Sequence, residues 1–197
     1  MRDYLEHSIA DLSAREVYVS YISYAIHRFL LTMEYLPDVA GRVLELGSNP
    51  FFITRLMKRF KPYELELANF FGETTMDATV SHHAEIDNPQ YGEHHDLICR
   101  QFNVECQAFP YADASFDGVV FCEVLEHLTI DPQVALIEVS RVLKPREWLV
   151  LTTPNAAWYE HISSLWLGGH SNWGPYSPFG RYGRHNRSTH YPSLSNY

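Results

Sequence analysis

Cysteine is scarce in this chain of 197 residues: three in all, at Cys99, Cys106 and Cys122, with no C-x-x-C spacing. That pattern excludes a disulfide framework and the paired-thiolate zinc sites, and it predicts buried free thiols in a reducing compartment. Positive charge is also short. Fifteen Lys and Arg stand against 24 Asp and Glu, a net charge of −9, which argues against a nucleic-acid partner or an anionic membrane surface, since both need clustered cations. No long apolar run is present either. The most hydrophobic early stretch, residues 17–36, is interrupted by His27, Arg28 and Glu34, so no membrane span is expected. No secretory leader pattern opens the chain and no internal repeat is visible, and a cytoplasmic location is the expectation.

What remains is a composition of 46% hydrophobic and 20% charged residues, suited to one globular unit with a real core. At the N-terminus Val19, Ile22, Ile26, Phe29, Leu30 and Met33 recur at helical spacing until Pro37, predicting a helix packed on the sheet or over a cleft. Residues 42–46 then read as a strand and Gly47 as the turn out of it. Asn49 is placed to cap a following helix and Pro50 to begin it, with Ile53, Leu56, Met57 and Phe60 on one apolar face. Strand, glycine turn and helix together bring backbone N–H groups to a ligand. Residues 63–68 alternate as a second strand.

Between Gly72 and Asp96 the chain is polar and carries His82, His83, Glu85, Asp87, His94, His95 and Asp96. Adjacent histidines point in different directions and no H-E-x-x-H spacing occurs, so the stretch is read as a solvated loop and no metal site is assigned.

The densest information lies from Phe102 to Asn155. A short third strand, residues 102–105, ends in Glu105 and is followed by a Phe-Pro turn. Then come Phe116-Asp117-Gly118-Val119 opening an apolar strand, Glu126-His127-Leu128, a helix capped by Asp131 and started by Pro132, Leu143-Lys144-Pro145, and a last strand before Thr153-Pro154-Asn155. Ala135, Leu136, Val139, Val142 and Leu143 fall on the core side of that helix. Two apolar strands around one helix form a parallel βαβ unit, which binds ligands at the carboxyl ends of its strands.

This succession resembles the second half of the class I, Rossmann-like S-adenosylmethionine-dependent methyltransferases, in a subgroup of the methyltransferase-11/12 type. The resemblance extends over roughly residues 40 to 190 and is weakest at its two ends. It implies an α/β fold, a doubly wound, mostly parallel sheet of order 3-2-1-4-5, with S-adenosyl-L-methionine as cofactor. It also implies a cofactor site at Glu45, Gly47, Ser48 and Asn49 after strand one, at Cys122 and Glu123 after strand four, and at Glu105 and Cys106, which would read the adenine edge. Asn69 stands near the end of strand two, where the family has an acid for the ribose hydroxyls. It is either a neutral acceptor for the diol or a plain loop residue. Asn49 and Phe51 occupy places where the family has glycine. His127 is either a general base or part of a structural shoulder, and His185 is a second candidate base.

The expected organisation is a helical segment over residues 1–39, a cofactor-binding core over 40–155, and an aromatic-rich segment over 156–197. Trp158, Tyr159, Trp166, Trp173 and Tyr176 in that last segment suit a glycan or another small-molecule acceptor, or else pack under a long loop. The family's closing strand pair has no counterpart in the sequence. This leaves either a truncated form or a sheet edge completed by a partner, such as a second copy in a homodimer. Two functions follow: methyl transfer to a small-molecule or glycan-type acceptor, or a non-catalytic methyltransferase-like domain serving as a binding or dimerisation partner.

Overall fold

The computed structural model describes residues 1–10, 15–70 and 81–155, together with residues 163, 166 and 167. Helices α1 (Arg2–Ala10) and α2 (Arg15–Tyr35) precede β1 (Gly41–Leu46), α3 (Phe52–Phe60) and β2 (Tyr63–Asn69). A hairpin of β3 (Ser81–Asn88) and β4 (Glu93–Gln101) follows, then β5 (Phe116–Cys122), α4 (Pro132–Val142) and β6 (Leu143–Thr152). They form one sheet of order β3-β4-β2-β1-β5-β6. Every neighbouring pair is parallel except β3 and β4. Counted by its parallel strands alone, the order is 3-2-1-4-5, as the sequence predicts, with an antiparallel strand added outside the third.

That addition is one correction. Residues 81–88 and 93–101 are a hairpin in full register from Ser81↔Arg100 to Asn88↔Glu93, where the sequence reading has a solvated loop. Its outer face is polar apart from the exposed Ile98, and its inner face carries only Ala84, Ile86, Leu97 and Cys99 as apolar residues. A strand half-covered on one side needs no more than that. A second correction follows from it: the third parallel strand is β4, and residues 102–105 lie beyond its end. There the backbone N–H groups of Cys106 and Gln107 turn back onto the Asn103 carbonyl.

The sheet is covered on both faces. Val43 and Val120 point toward a core formed with Ile22, Ile26, Phe29 and Met33 of α2 and with Phe52, Leu56 and Met57 of α3. The next residues along the same strands, Leu44, Leu46, Val119 and Phe121, face Ala135, Val139 and Val142 of α4. Strand alternation therefore decides which side chains reach which layer. Asp131 caps α4 by accepting from Gln133 N at 2.9 Å. Asn49 does not cap α3: Phe51, at φ 68°, precedes that helix with no side-chain cap, because the chain first closes a turn from Phe51 N to Ser48 O.

Several of the motif residues act as fasteners. Asp117 accepts from Arg42 N at 2.9 Å and from Lys144 Nζ at 2.5 Å, tying β1, β5 and β6 together at their amino ends. Arg141 donates to Glu138, to Asp113 and to the carbonyls of Phe109 and Tyr111, holding the Phe-Pro turn against α4. Among the described residues no helix is long and apolar enough to cross a membrane.

Candidate functional site

A cleft of about 170 Å³ opens at the carboxyl ends of β1 and β5, on the α2 side of the sheet. Its floor is the turn after β1: Glu45, Gly47, Ser48, Asn49 and Pro50. Gly47 sits at φ 76°, and a Cβ there would stand 2.2 Å from Cγ2 of Val124; glycine is required both by conformation and by contact. The opposite wall is the end of β5, with Cys122, Glu123 and His127. Arg28, Phe29 and Thr32 of α2 close the top, and Thr152 of β6 closes one side.

Two carboxyl groups, Glu45 and Glu123, line the cleft, and a third, Glu126, is buried near Glu123. Glu45 is 4% exposed and accepts from the Thr54 hydroxyl at 2.6 Å. Burial pushes its pKa up to about 8, and the Thr54 hydrogen bond offsets part of the rise. Glu126, 2% exposed, is pushed up to about 8 by burial and then by the nearby Glu123. Glu123 is itself raised by burial, against which the Arg28 charge and the Thr152 hydroxyl act. Arg28 Nη1 lies 2.7 Å from Glu123 Oε2, and Thr152 Oγ1 donates to Glu123 Oε1 at 2.8 Å. Glu123 adopts φ 56°, a left-handed conformation that costs roughly 1–2 kcal/mol outside glycine. Its two partners hold it there. Such strain is common at functional sites.

Of the residues expected at a cofactor site, Glu45, Gly47, Ser48, Asn49, Cys122 and Glu123 line this cleft, as does the candidate base His127. Asn69, Glu105 and Cys106 are not among its lining residues. Glu105 is 2% exposed; its Oε1 accepts from Thr129 N at 2.5 Å and Ile130 N at 2.6 Å, and Oε2 from Thr129 Oγ1 at 3.2 Å. Its carboxylate thus holds the loop that leads into α4. Cys106 is exposed, not buried as the sequence predicts, because it lies in the turn beyond β4, and its N–H is used in the turn onto Asn103 at 3.3 Å. The Asn69 carbonyl accepts from Phe102 N. His185 and the aromatic stretch from residue 156 lie outside the described residues, apart from the exposed Trp166 and Leu167. Among the described residues no three His, Cys, Asp or Glu side chains are placed to hold a metal ion.

Sequence reasoning places α2 on the sheet or over a cleft but does not name Arg28 and Thr32 as lining residues. Arg28 and Thr32 are one turn apart beside the apolar stripe of Ile22, Ile26, Phe29 and Met33. An arginine and a threonine at i and i+4 next to such a stripe are the signal that could have pointed to a lined cleft.

A second, larger cavity of about 610 Å³ adjoins the first, between α2 and β6. The two share Arg28, Thr32, Glu123 and Thr152, so that the Arg28–Glu123 pair stands on the boundary between them.

An open parallel sheet with a cleft at the carboxyl ends of its central strands defines a Rossmann-like α/β protein. Residues 44–151 match the family described as methyltransferase domain, and the chain belongs to that family, whose methyl donor is S-adenosylmethionine. Among solved structures it is similar to a chain from the complex between the Haloferax volcanii Trm112 methyltransferase activator and a methyltransferase, at 20% identity and a TM-score of 0.49, covering 67% of this chain and 54% of that one. It is also similar to a Pyrococcus horikoshii protein, at 20% identity and a TM-score of 0.43, covering 66% and 57%. A Thermotoga maritima S-adenosylmethionine-dependent methyltransferase aligns at 18% identity and a TM-score of 0.49, covering 86% and 70%. The chain thus spans little more than half the length of the first two. No curated protein matches it.

Proposed function

We propose that this chain binds S-adenosylmethionine in the cleft at the ends of β1 and β5 and supports methyl transfer to a small-molecule or glycan-type acceptor. One observation carries the reading: Glu45 and Glu123 bring two carboxyl groups to a cleft whose described lining contains one arginine, and Arg28, that arginine, is paired with Glu123. A buried carboxyl held near its neutral form, as Glu45 is, favours a cationic ligand, because a positive group restores the ionised state that burial penalises. S-adenosylmethionine carries an ammonium and a sulfonium, and when bound it supplies an electrophilic methyl carbon. Glu45 and the turn from Gly47 to Asn49 would hold its amino-acid end. Phe29 and Thr32 cover the cleft and limit the entry of water, which strengthens the charge interactions inside. His127 is the residue in the cleft suited to take a proton near neutral pH.

Two observations favour the non-catalytic alternative. The N–H groups of Gly47 and Ser48 both donate to Ala68 O, and the candidates for the nucleoside end, Asn69, Glu105 and Cys106, do not line the cleft. A calorimetric titration with S-adenosylhomocysteine, with NAD as control, separates the two. Saturable binding of the former alone, with a rise in Tm through linkage, supports the enzyme reading. No heat at millimolar ligand leaves the non-catalytic domain.

A further inference from the structure

The cavity between α2 and β6 has a largely apolar body and, among the described residues, a polar end. Leu31, Tyr35 and Pro37 line it from the α2 side, and Trp148 and Val150 from the strand; the polar end is the Arg28–Glu123–Thr152 cluster that it shares with the cofactor cleft. Its volume, about 610 Å³, lies within the range of small-molecule sites, roughly 300–1,000 Å³. We propose that this cavity is the acceptor site, and that it takes a small, neutral, largely apolar molecule whose hydroxyl or amine donates a hydrogen bond to Glu123. The assignment rests on the methyl-transfer reading and narrows its acceptor.

Three observations support it. The shared wall is one ion pair thick, so a group bound at Glu123 from the β6 side adjoins the cofactor cleft without crossing another layer of protein. Charge at the inner end is already balanced, since Arg28 faces Glu123 at 2.7 Å; a charged head group would leave one ion unmatched, whereas a neutral donor leaves the pair intact. An ionised carboxylate has about four acceptor sites, and Arg28 and Thr152 occupy one on each oxygen. Room therefore remains for a further donor. A glycan is disfavoured because those of its hydroxyls that face Leu31, Pro37 and Val150 would find no partner in these side chains.

The test uses the full chain and two probes of matched shape: 4-phenylphenol, which has a donor, and 4-methoxybiphenyl, which lacks one. Cellobiose serves as the glycan control. Calorimetry should give binding of the phenol about tenfold tighter than the ether, the discrimination expected of one hydrogen bond to a charged group, and no heat with cellobiose. Leu31 is 52% exposed and does not line the cofactor cleft, so Leu31→Asp should fold normally, weaken both probes by about tenfold or more, and leave S-adenosylhomocysteine affinity unchanged. Glu123→Gln should narrow the phenol-to-ether ratio. Equal affinities for the two probes, binding of cellobiose in their place, or self-association that Leu31→Asp abolishes without any probe binding would each overturn the assignment. S-adenosylhomocysteine is titrated separately, and its failure to bind would count against the methyl-transfer reading alone.

Discussion

The indole of Trp148 lies against the backbone of Gly118 on the neighbouring strand, so closely that a Cβ at Gly118 would stand 2.2 Å from Cζ2 of the ring. Trp148 also packs near Tyr63, with ring centroids 5.7 Å apart, so admitting a Cβ would require the indole to shift. Gly118→Ala should therefore cost about 1–3 kcal/mol, as overpacking does in a filled layer, and should disturb the cavity that Trp148 lines. Urea unfolding measures it. An unchanged midpoint would mean that the indole swings aside freely.

Stability should fall as pH rises from about 5 to about 8. Glu45 and Glu126 are pushed by burial from their ordinary 4.5 up to about 8, so across that interval the folded protein keeps protons that the unfolded chain has released. The slope of unfolding free energy with pH is then negative. Below the ordinary value these groups cost the fold nothing, and above about 8 their full penalty is present. Glu45→Gln removes one of the two contributions, so it should gain stability relative to the parent as pH rises through this window. Parallel midpoint-versus-pH curves for the two proteins would contradict this.

Glu105→Ala should destabilise the fold without weakening cofactor binding. Its carboxylate holds the N–H groups of Thr129 and Ile130, and their loss should cost about 1–3 kcal/mol. Glu105→Gln, which keeps one acceptor oxygen, should recover part of that. If S-adenosylhomocysteine affinity falls instead while the melting curve is unmoved, Glu105 reads adenine as the resemblance implies.

Of the three thiols, Cys106 should react with a maleimide in the native protein and the other two only on unfolding. Cys106 is exposed. Burial raises Cys99 to about 11 and Cys122 to about 12, so little thiolate is available at neutral pH. Mass spectrometry after a short pulse reads the count. Fast labelling of Cys122 would mean that the cleft opens far wider than its α2 cover suggests.

The central sheet was legible because its strands are buried on both faces and its helices have one apolar side; β1, β5, α3 and α4 announce themselves by period alone. The β3–β4 hairpin was not. Residues such as His83, Asp87, His94 and Asp96 are poor strand formers, and only the alternation of Ala84 with Ile86, and of Leu97 with Cys99, marks its inner face. Half of the candidate site was readable from position in a motif, namely Glu45, Gly47 and the end of β5. The share of Arg28 and Thr32 was hidden, because it depends on how α2 lies across the sheet. Glu105 marks the opposite limit: its place in the motif suggested a ligand, whereas its hydrogen bonds serve the backbone of the next loop.

The family match begins at residue 44, yet α2 supplies Ile22, Ile26, Phe29 and Met33 to the same core as Val43 and Phe52, and Arg28 to the rim of both cavities. The recognisable unit and the folding unit therefore have different edges. A chain begun at residue 40 would expose the part of the sheet and of α3 that α2 covers and lose the wall that divides the two cavities. The same geometry makes the first helices a module for divergence. Exchanging residues 1–36 would reshape both cavities while leaving the βαβ framework and its fasteners, Asp117 and Arg141, untouched.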